Sequence, residues 1–355
     1  MPQASNNDQS NVEWFNIVDE EPLDEDIDLD SYQLDYPEIA FEDSLEVIQS
    51  DALAPQDLLG FGSMTRKQVH QLRAVWDELP EEQRVTIAEV ALMVAREHNF
   101  SDFGRFFFTL LEDSSVDVRL NAATGAALSE VAELIKPLAE VAEWDESLDV
   151  REAAIHALAP HVVAFELGLV TERKDLDRLV KLKEWAEEES LPVALRAAAL
   201  HAYSHNTMDD DIEGIIESFV QHDDDVLQLG AMRAMSVYGA GRFTQFLERQ
   251  LQSTDVDTRE AAAAAMAESG DEAVVPMLTM AARTDTESIV REAAYIALAN
   301  IATEPALESL LELRKHASDD DVDVIDGAIQ YISELNDLES ELQDLEAQPE
   351  DGDDF

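Results

Sequence analysis

Along most of this chain the apolar residues recur every three or four positions. After Arg291 they fall at Ala293, Ala294, Ala297, Leu298 and Ile301, which is one stripe down one face of a helix. Imperfect copies of the same stretch start around Val118-Arg119, Val150-Arg151, Leu195-Arg196 and Thr258-Arg259, with weaker ones at Arg84, Gln228 and Asp326. Successive Arg-equivalent positions are 35, 32, 45, 32, 31, 32 and 35 residues apart, the spacing of a helical solenoid. A second apolar stripe precedes each copy, for instance Val131, Leu134, Ile135, Leu138 and Val141, or Val274, Val275, Leu278 and Ala281. Neither stripe can be buried by its own helix, so the pattern predicts helix pairs that stack on one another. The alanines after each Arg position let neighbouring pairs approach to roughly 8–10 Å between axes.

Acids crowd the start of each second helix. Asp113, Asp145, Asp285 and Asp320 lie six residues before the Arg-equivalent position, and Asp117, Asp149 and Asp257 lie two before it. There they meet free N–H groups and the positive end of the helix dipole. If Arg119, Arg151, Arg196, Arg259 and Arg291 point along the stack, each can bond an acid or carbonyl of the adjacent repeat. These arginines are therefore expected to be structural repeat positions forming a polar ladder, interrupted at Gln228 and Asp326.

Paired helices with an Asp and then Val-Arg at the second helix resemble HEAT repeats of the short, phycobilisome-lyase-like variety, over about residues 66–336. The resemblance implies an all-α fold, an α-α superhelix, and admits scaffolds, adaptors, inhibitors and occasional enzymes. A HEAT-repeat di-iron hydroxylase would hold its metals with His-Glu pairs, and no His-Glu dipeptide occurs in this chain.

The domain reading places an acidic, disordered tail at residues 1–41, the array with its N-terminal cap at 42–336, and the end of a capping helix with an acidic tail at 337–355. Phe41–Ser50 is expected to form a helix, Pro55 to Gly62 a loop, and Thr65 the N-cap of the next helix. The 45-residue spacing between Arg151 and Arg196 puts extra residues around Pro160–Thr171, as a longer helix pair or an inserted loop. Gly239-Ala240-Gly241 reads as a turn between helices, because no strand precedes it and no third glycine completes a phosphate-binding fingerprint.

Charge narrows the choice of partner. The chain holds 79 acids against 23 bases, a net −56, and only 6 of the bases are lysines. A phosphate backbone would be repelled, since no basic cluster appears beyond Arg173, Lys174, Arg178, Lys181 and Lys183, which are expected to form a solvated face. Such acidity suits either the capture of basic partners or solubility in concentrated salt. In the N-terminal tail, Trp14, Phe15, Ile17 and Val18 form a possible docking motif that either folds on a partner or packs back on the array. Without cysteine there are no disulfides or thiolate sites. No signal-like N-terminus and no span of membrane length is apparent, so a cytoplasmic protein without membrane insertion is expected.

Chemistry is sparse. Of eight histidines, only His201 and His205 have ligand-like spacing, one helical turn apart, with Asp209 to Asp211 nearby. They are weak metal candidates; otherwise no metal site, cofactor or catalytic set is expected. The leading expectation is a non-enzymatic protein-binding scaffold or adaptor. The alternative, a bilin lyase-like or pigment-handling protein, is implied only by the resemblance.

Overall fold

Among the described residues the array is made of eight helix pairs. The computed structural model describes residues 39–50, 53–97, 101–239, 241–267 and 272–346. The chain divides into two units, Met1–Glu38 and Ile39–Phe355. The first unit, which contains Trp14, Phe15, Ile17 and Val18, lies outside the described residues, as do residues 347–355.

The first helices of the pairs are α2 (Arg66–Trp76), α4 (Gly104–Leu110), α6 (Ile135–Trp144), α9 (Arg173–Glu187), α11 (Asp211–Val220), α13 (Thr244–Gln250), α15 (Val275–Thr284) and α17 (Glu304–Arg314). Their partners are α3 (Glu81–Glu97), α5 (Val116–Ala126), α7 (Leu148–His156), α10 (Val193–Tyr203), α12 (Asp225–Tyr238), α14 (Val256–Ala267), α16 (Ser288–Ile301) and α18 (Asp319–Glu346). Among the described residues there is no β-strand. The architecture is therefore an all-α superhelix, as the periodicity requires.

Each second helix packs on the next one, giving a continuous row from α3 to α18, and this row is packed more closely than the row of first helices. Closer spacing on one side of a stack is what bends it, so the second helices form the inner row. Small residues make that spacing possible. A Cβ on Gly230 of α12 would come within 2.6 Å of the Ala197 Cβ and 2.9 Å of the Ala197 Cα on α10. Behind the row, the stripe residues fill the core: Ala294, Ala297 and Leu298 are all fully buried.

The arginines run along the edge where first helices turn into second helices. Arg119 donates from Nε to Asp145 Oδ2 at 2.7 Å and from Nη2 to Asp145 Oδ1 at 3.0 Å. Arg259 grips Asp285 with the same two distances, and Arg84 grips Asp113 at 2.8 and 3.0 Å. The remaining Nη1 of each donates to a carbonyl of its own turn: Leu79 for Arg84, Asp113 for Arg119, Ser253 for Arg259. Each carboxylate also holds its own turn. Asp113, Asp145 and Asp285 accept the N–H of Ser115, Ser147 and Glu287 at 2.8, 2.9 and 3.0 Å, and these are the N-cap residues of α5, α7 and α16. One side chain thus fixes a helix start and clamps the preceding repeat.

Two details of the ladder depart from the spacing. Arg291 pairs with Asp321, not with Asp320, through two bonds of 3.1 Å. The capping helix α18 starts at Asp319, so the acceptor sits inside its first turn and the register moves by one. In the middle of the array the acid partner is missing. Arg151 and Arg196 donate to the carbonyls of Ala142 and Ala186, at 2.7 and 3.0 Å. Gln228 accepts from Gln250 at 2.9 Å, a neutral pair where the ion pair would be. At Asp326 the polarity is reversed, and Arg314 on α17 donates to it at 2.8 Å.

The N-terminal cap differs from the expected loop. Helix α1 (Phe41–Val47) is followed by a 3-10 helix over Pro55–Phe61, started by Pro55 at its first position. Phe41, Leu58, Phe61 and Met64 are buried against the first pair, with the Phe61 ring stacked 5.1 Å from Phe106. Thr65 caps α2, its hydroxyl accepting the Gln68 N–H at 3.3 Å.

Candidate functional site

The single long interval in the repeat is filled by an extra helix, α8 (Ala159–Glu166), and a loop to α9. This is neither a longer helix pair nor a plain loop. Ala157 caps the end of α7, Leu158 caps the start of α8, and Pro160 in the first turn of α8 starts a new helix rather than continuing the old one. α8 closes on Gly168, whose φ of +72° is the left-handed conformation that glycine adopts without cost. Leu169 N–H then turns back to the Ala164 carbonyl at 2.8 Å. The turn leaves Leu167 and Leu169 69% and 68% exposed, while Val170 is buried and anchors the loop.

A second loop meets the first. The Thr207 hydroxyl donates to the Glu166 carboxylate, tying the α10–α11 connection to the end of α8. Met208, next to Thr207, is 82% exposed. Large apolar side chains scattered singly on a surface are ordinary, but three on two joined loops form a patch.

The loop carrying Met208 is held rigid by a polar network. Asp209 accepts the Tyr203 hydroxyl at 2.8 Å and Lys183 Nζ at 2.9 Å, and Lys183 also donates to Asp211 at 2.7 Å. Burial would raise the Asp209 pKa, but the bond from Lys183 and the Asp211 N–H outweigh it and hold the carboxylate low. Burial and the bond to Asp209 push Tyr203 up to about 12. Asp209 and Asp211, placed near the histidines as possible oxygen ligands, are therefore occupied by Lys183.

Three histidines line the inner row beside these loops. His156 ends α7, His201 lies on α10, and His205 follows it; the ring centroids are 5.6 Å apart for His156–His201 and 5.8 Å for His201–His205. Burial pushes His201 down to about 4, with His156, His205 and Arg233 adding repulsion. His156 is lowered by burial and then by Arg233, and His205 by burial against the pull of Glu166. In all three, burial favours the neutral imidazole. Among the described residues no group of three or more His, Cys, Asp or Glu is arranged to hold a metal ion. His201 and His205 are brought together with His156, which sequence spacing did not select because it lies one repeat away. Leu167 and Leu169 fall inside the Pro160–Thr171 interval that the spacing marked, but nothing in the sequence showed that their side chains would be exposed beside Met208.

The other acidic and basic clusters have structural partners. Asp224 caps α12 through the Val226 N–H at 2.9 Å. Arg178 pairs with Asp175 and Lys181 with Glu143, each at 2.9 Å, so with Lys183 these basic residues of α9 are tied to acids.

Geometry of this kind, with helix pairs stacked through a polar ladder, defines an α-α superhelix of HEAT-like type. The family model for HEAT repeats matches residues 212–299 and 244–332, so this part of the chain consists of HEAT repeats. No curated protein matches the chain in sequence. Among solved structures it is similar to the complex of CpcE and CpcF of phycocyanin lyase from Nostoc sp. PCC7120, with 17% identity and a TM-score of 0.45, covering 80% of this chain and 96% of that one. It is also similar to human deoxyhypusine hydroxylase, with 15% identity and a TM-score of 0.33, covering 83% and 96%.

Proposed function

We propose that this protein is a non-enzymatic binding scaffold, in which the edge formed by α8 and the α10–α11 loop receives a segment of a partner protein. The observation that carries this reading is the patch of Leu167, Leu169 and Met208, exposed on two loops that are hydrogen-bonded together and braced by Lys183 and Asp209. Ordered loops presenting apolar side chains lose little entropy on binding, which favours recognition over chance exposure. Glu172 and Asp210 in the same loops, and a net charge of −56 overall, steer a basic segment toward the patch. The same acidity suits a protein that works in concentrated salt. Neutral, mutually packed histidines beside the patch extend it as a polar wall without a catalytic arrangement.

Crosslinking mass spectrometry in native extract tests this, comparing the wild-type chain with a Leu167→Ser, Leu169→Ser, Met208→Ser variant. All three positions are exposed, so the variant should fold normally. The expected result is a partner crosslinked to the α8–α9 and α10–α11 loops of the wild type and lost from the variant. A partner retained equally by both, or no saturable partner at low or high salt, would overturn the reading.

A further inference from the structure

A second surface lies near the N-terminal end of the array and has the opposite character. Between α2, α4 and the turn into α6 is a cavity of about 320 Å³. Its floor is apolar, made by Val69, Phe108, Val131 and Leu134, and its rim carries the guanidinium groups of Arg66, Arg73 and Arg105 with the Glu133 carboxylate. With Glu112, which Arg73 reaches at 3.5 Å, three positive charges meet two negative, and the rim stays net positive in a chain whose net charge is −56. The cluster is not apparent in the sequence because Arg105 reaches it from a different helix.

The internal carboxylate shows what the rim can hold. Glu133 accepts from Arg66 Nε at 3.0 Å and from Arg105 Nε at 2.9 Å, and these bonds lower its pKa, Arg105 contributing most. Arg73 stands apart, its Cζ 5.3 Å from the Phe108 ring centre, and reaches only the 79% exposed Glu112, at 3.5 Å. Arg66 and Arg73 are two helical turns apart, about 10 Å along α2. Val69 lies between them in sequence and is buried in the floor. An extended peptide covers about 10 Å in three residues. Acids at the two ends of such a stretch would meet the two guanidinium centres while an apolar side chain between them enters the cavity. The volume is near the lower end for small-molecule sites, which fits a side chain better than a cofactor.

We propose that this cavity is a docking site for an acidic peptide of a partner protein, in which carboxylates flank a large apolar side chain. It is separate from the α8 edge and does not depend on the reading of that edge. The basic segment expected there and the acidic one expected here would let one array bridge two partners of opposite charge.

Fluorescence anisotropy of the full chain tests the site, using a fluorescein-labelled peptide with one central tryptophan between pairs of glutamates. Saturable binding is expected, weakened about tenfold or more by Arg66→Glu with Arg73→Glu, by serine in place of tryptophan, and by added salt. Both arginines are exposed at the surface, and a thermal melt checks that the variant is folded. The Leu167→Ser, Leu169→Ser, Met208→Ser variant should bind the probe as the wild type does. Absence of saturation, equal binding by the Arg66→Glu, Arg73→Glu variant, or equal binding of 1-naphthaleneacetate alone would overturn the assignment.

Discussion

Arg259 and Asp285 face each other across a repeat boundary through two nearly parallel bonds, Nε to Oδ2 at 2.7 Å and Nη2 to Oδ1 at 3.0 Å. Their side chains are only 13% and 9% exposed, so the pair has exchanged most of its water for protein contacts. Removing one member strands the other. Asp285→Ala should cost about 3 kcal/mol or more, because it leaves a poorly hydrated guanidinium and also frees the Glu287 N–H that starts α16. Asp285→Ala combined with Arg259→Met should recover part of the loss. Urea denaturation checks both, and a cost near that of an exposed pair, below about 1 kcal/mol, would refute the clamp.

Gly230→Ala separates helix propensity from packing. Alanine favours a helix interior by about 1 kcal/mol over glycine. Here the new methyl would meet the Ala197 backbone at 2.9 Å, and backbone cannot rotate away. The net outcome should be destabilisation of about 1–3 kcal/mol by forced separation of α10 and α12. A more stable variant would show that the inner row is not in close contact there.

Acid should weaken the fold in two stages. His161 is fully buried with neither ring nitrogen hydrogen-bonded, and burial pushes it down to about 4, as it does His201. An unfolded imidazole titrates near 6.5, so between these values the unfolded chain binds more protons and stability falls as the pH drops. Above that window the two states are equally neutral and the groups contribute no slope. The full shift of one such imidazole corresponds to about 3 kcal/mol. His161→Leu should flatten the dependence between about pH 4 and 6.5. The ladder carboxylates act lower. For Asp285 the Arg259 bond is the main cause of a depressed pKa, so its stabilisation is present above the usual carboxylate range and is lost only as the pH falls through the depressed value. Urea midpoints across the pH range read both stages.

Potassium chloride should raise the melting temperature. Screening relieves repulsion among exposed acids, whereas the ladder pairs are partly buried and screened less. A thermal melt from about 0.05 to about 2 M KCl checks this, and a flat or falling dependence would mean that self-repulsion does not limit stability.

What the sequence disclosed was local and periodic. The stripe around Leu298 and the regular recurrence of Arg119, Arg259 and Arg291 made the helix pairs and their polar edge readable, since each pattern repeats within a few turns. Contacts made by different repeats were hidden. His156 joins His201 only because α7 and α10 are neighbours despite the inserted α8, and Arg105 meets Arg66 only because α4 packs on α2. The choice of Asp321 over Asp320 depends on where α18 begins, which periodicity fixes to no better than a residue.

Guanidinium–carboxylate clamps bind the first repeats together from Arg84 to Asp145 and the last from Arg259 to Asp321. Between them Arg151 and Arg196 reach only carbonyls of their own helix pairs, and neighbouring pairs are tied instead by Lys181 to Glu143, Lys183 to Asp211 and the Gln228–Gln250 amide pair. Midway along the array the arginine clamps are therefore replaced by lysine ties and not simply lost. Leu167, Leu169 and Met208 stand where the bracing changes hands, so a client gripping them would pull on the lysine ties and leave the arginine clamps unloaded.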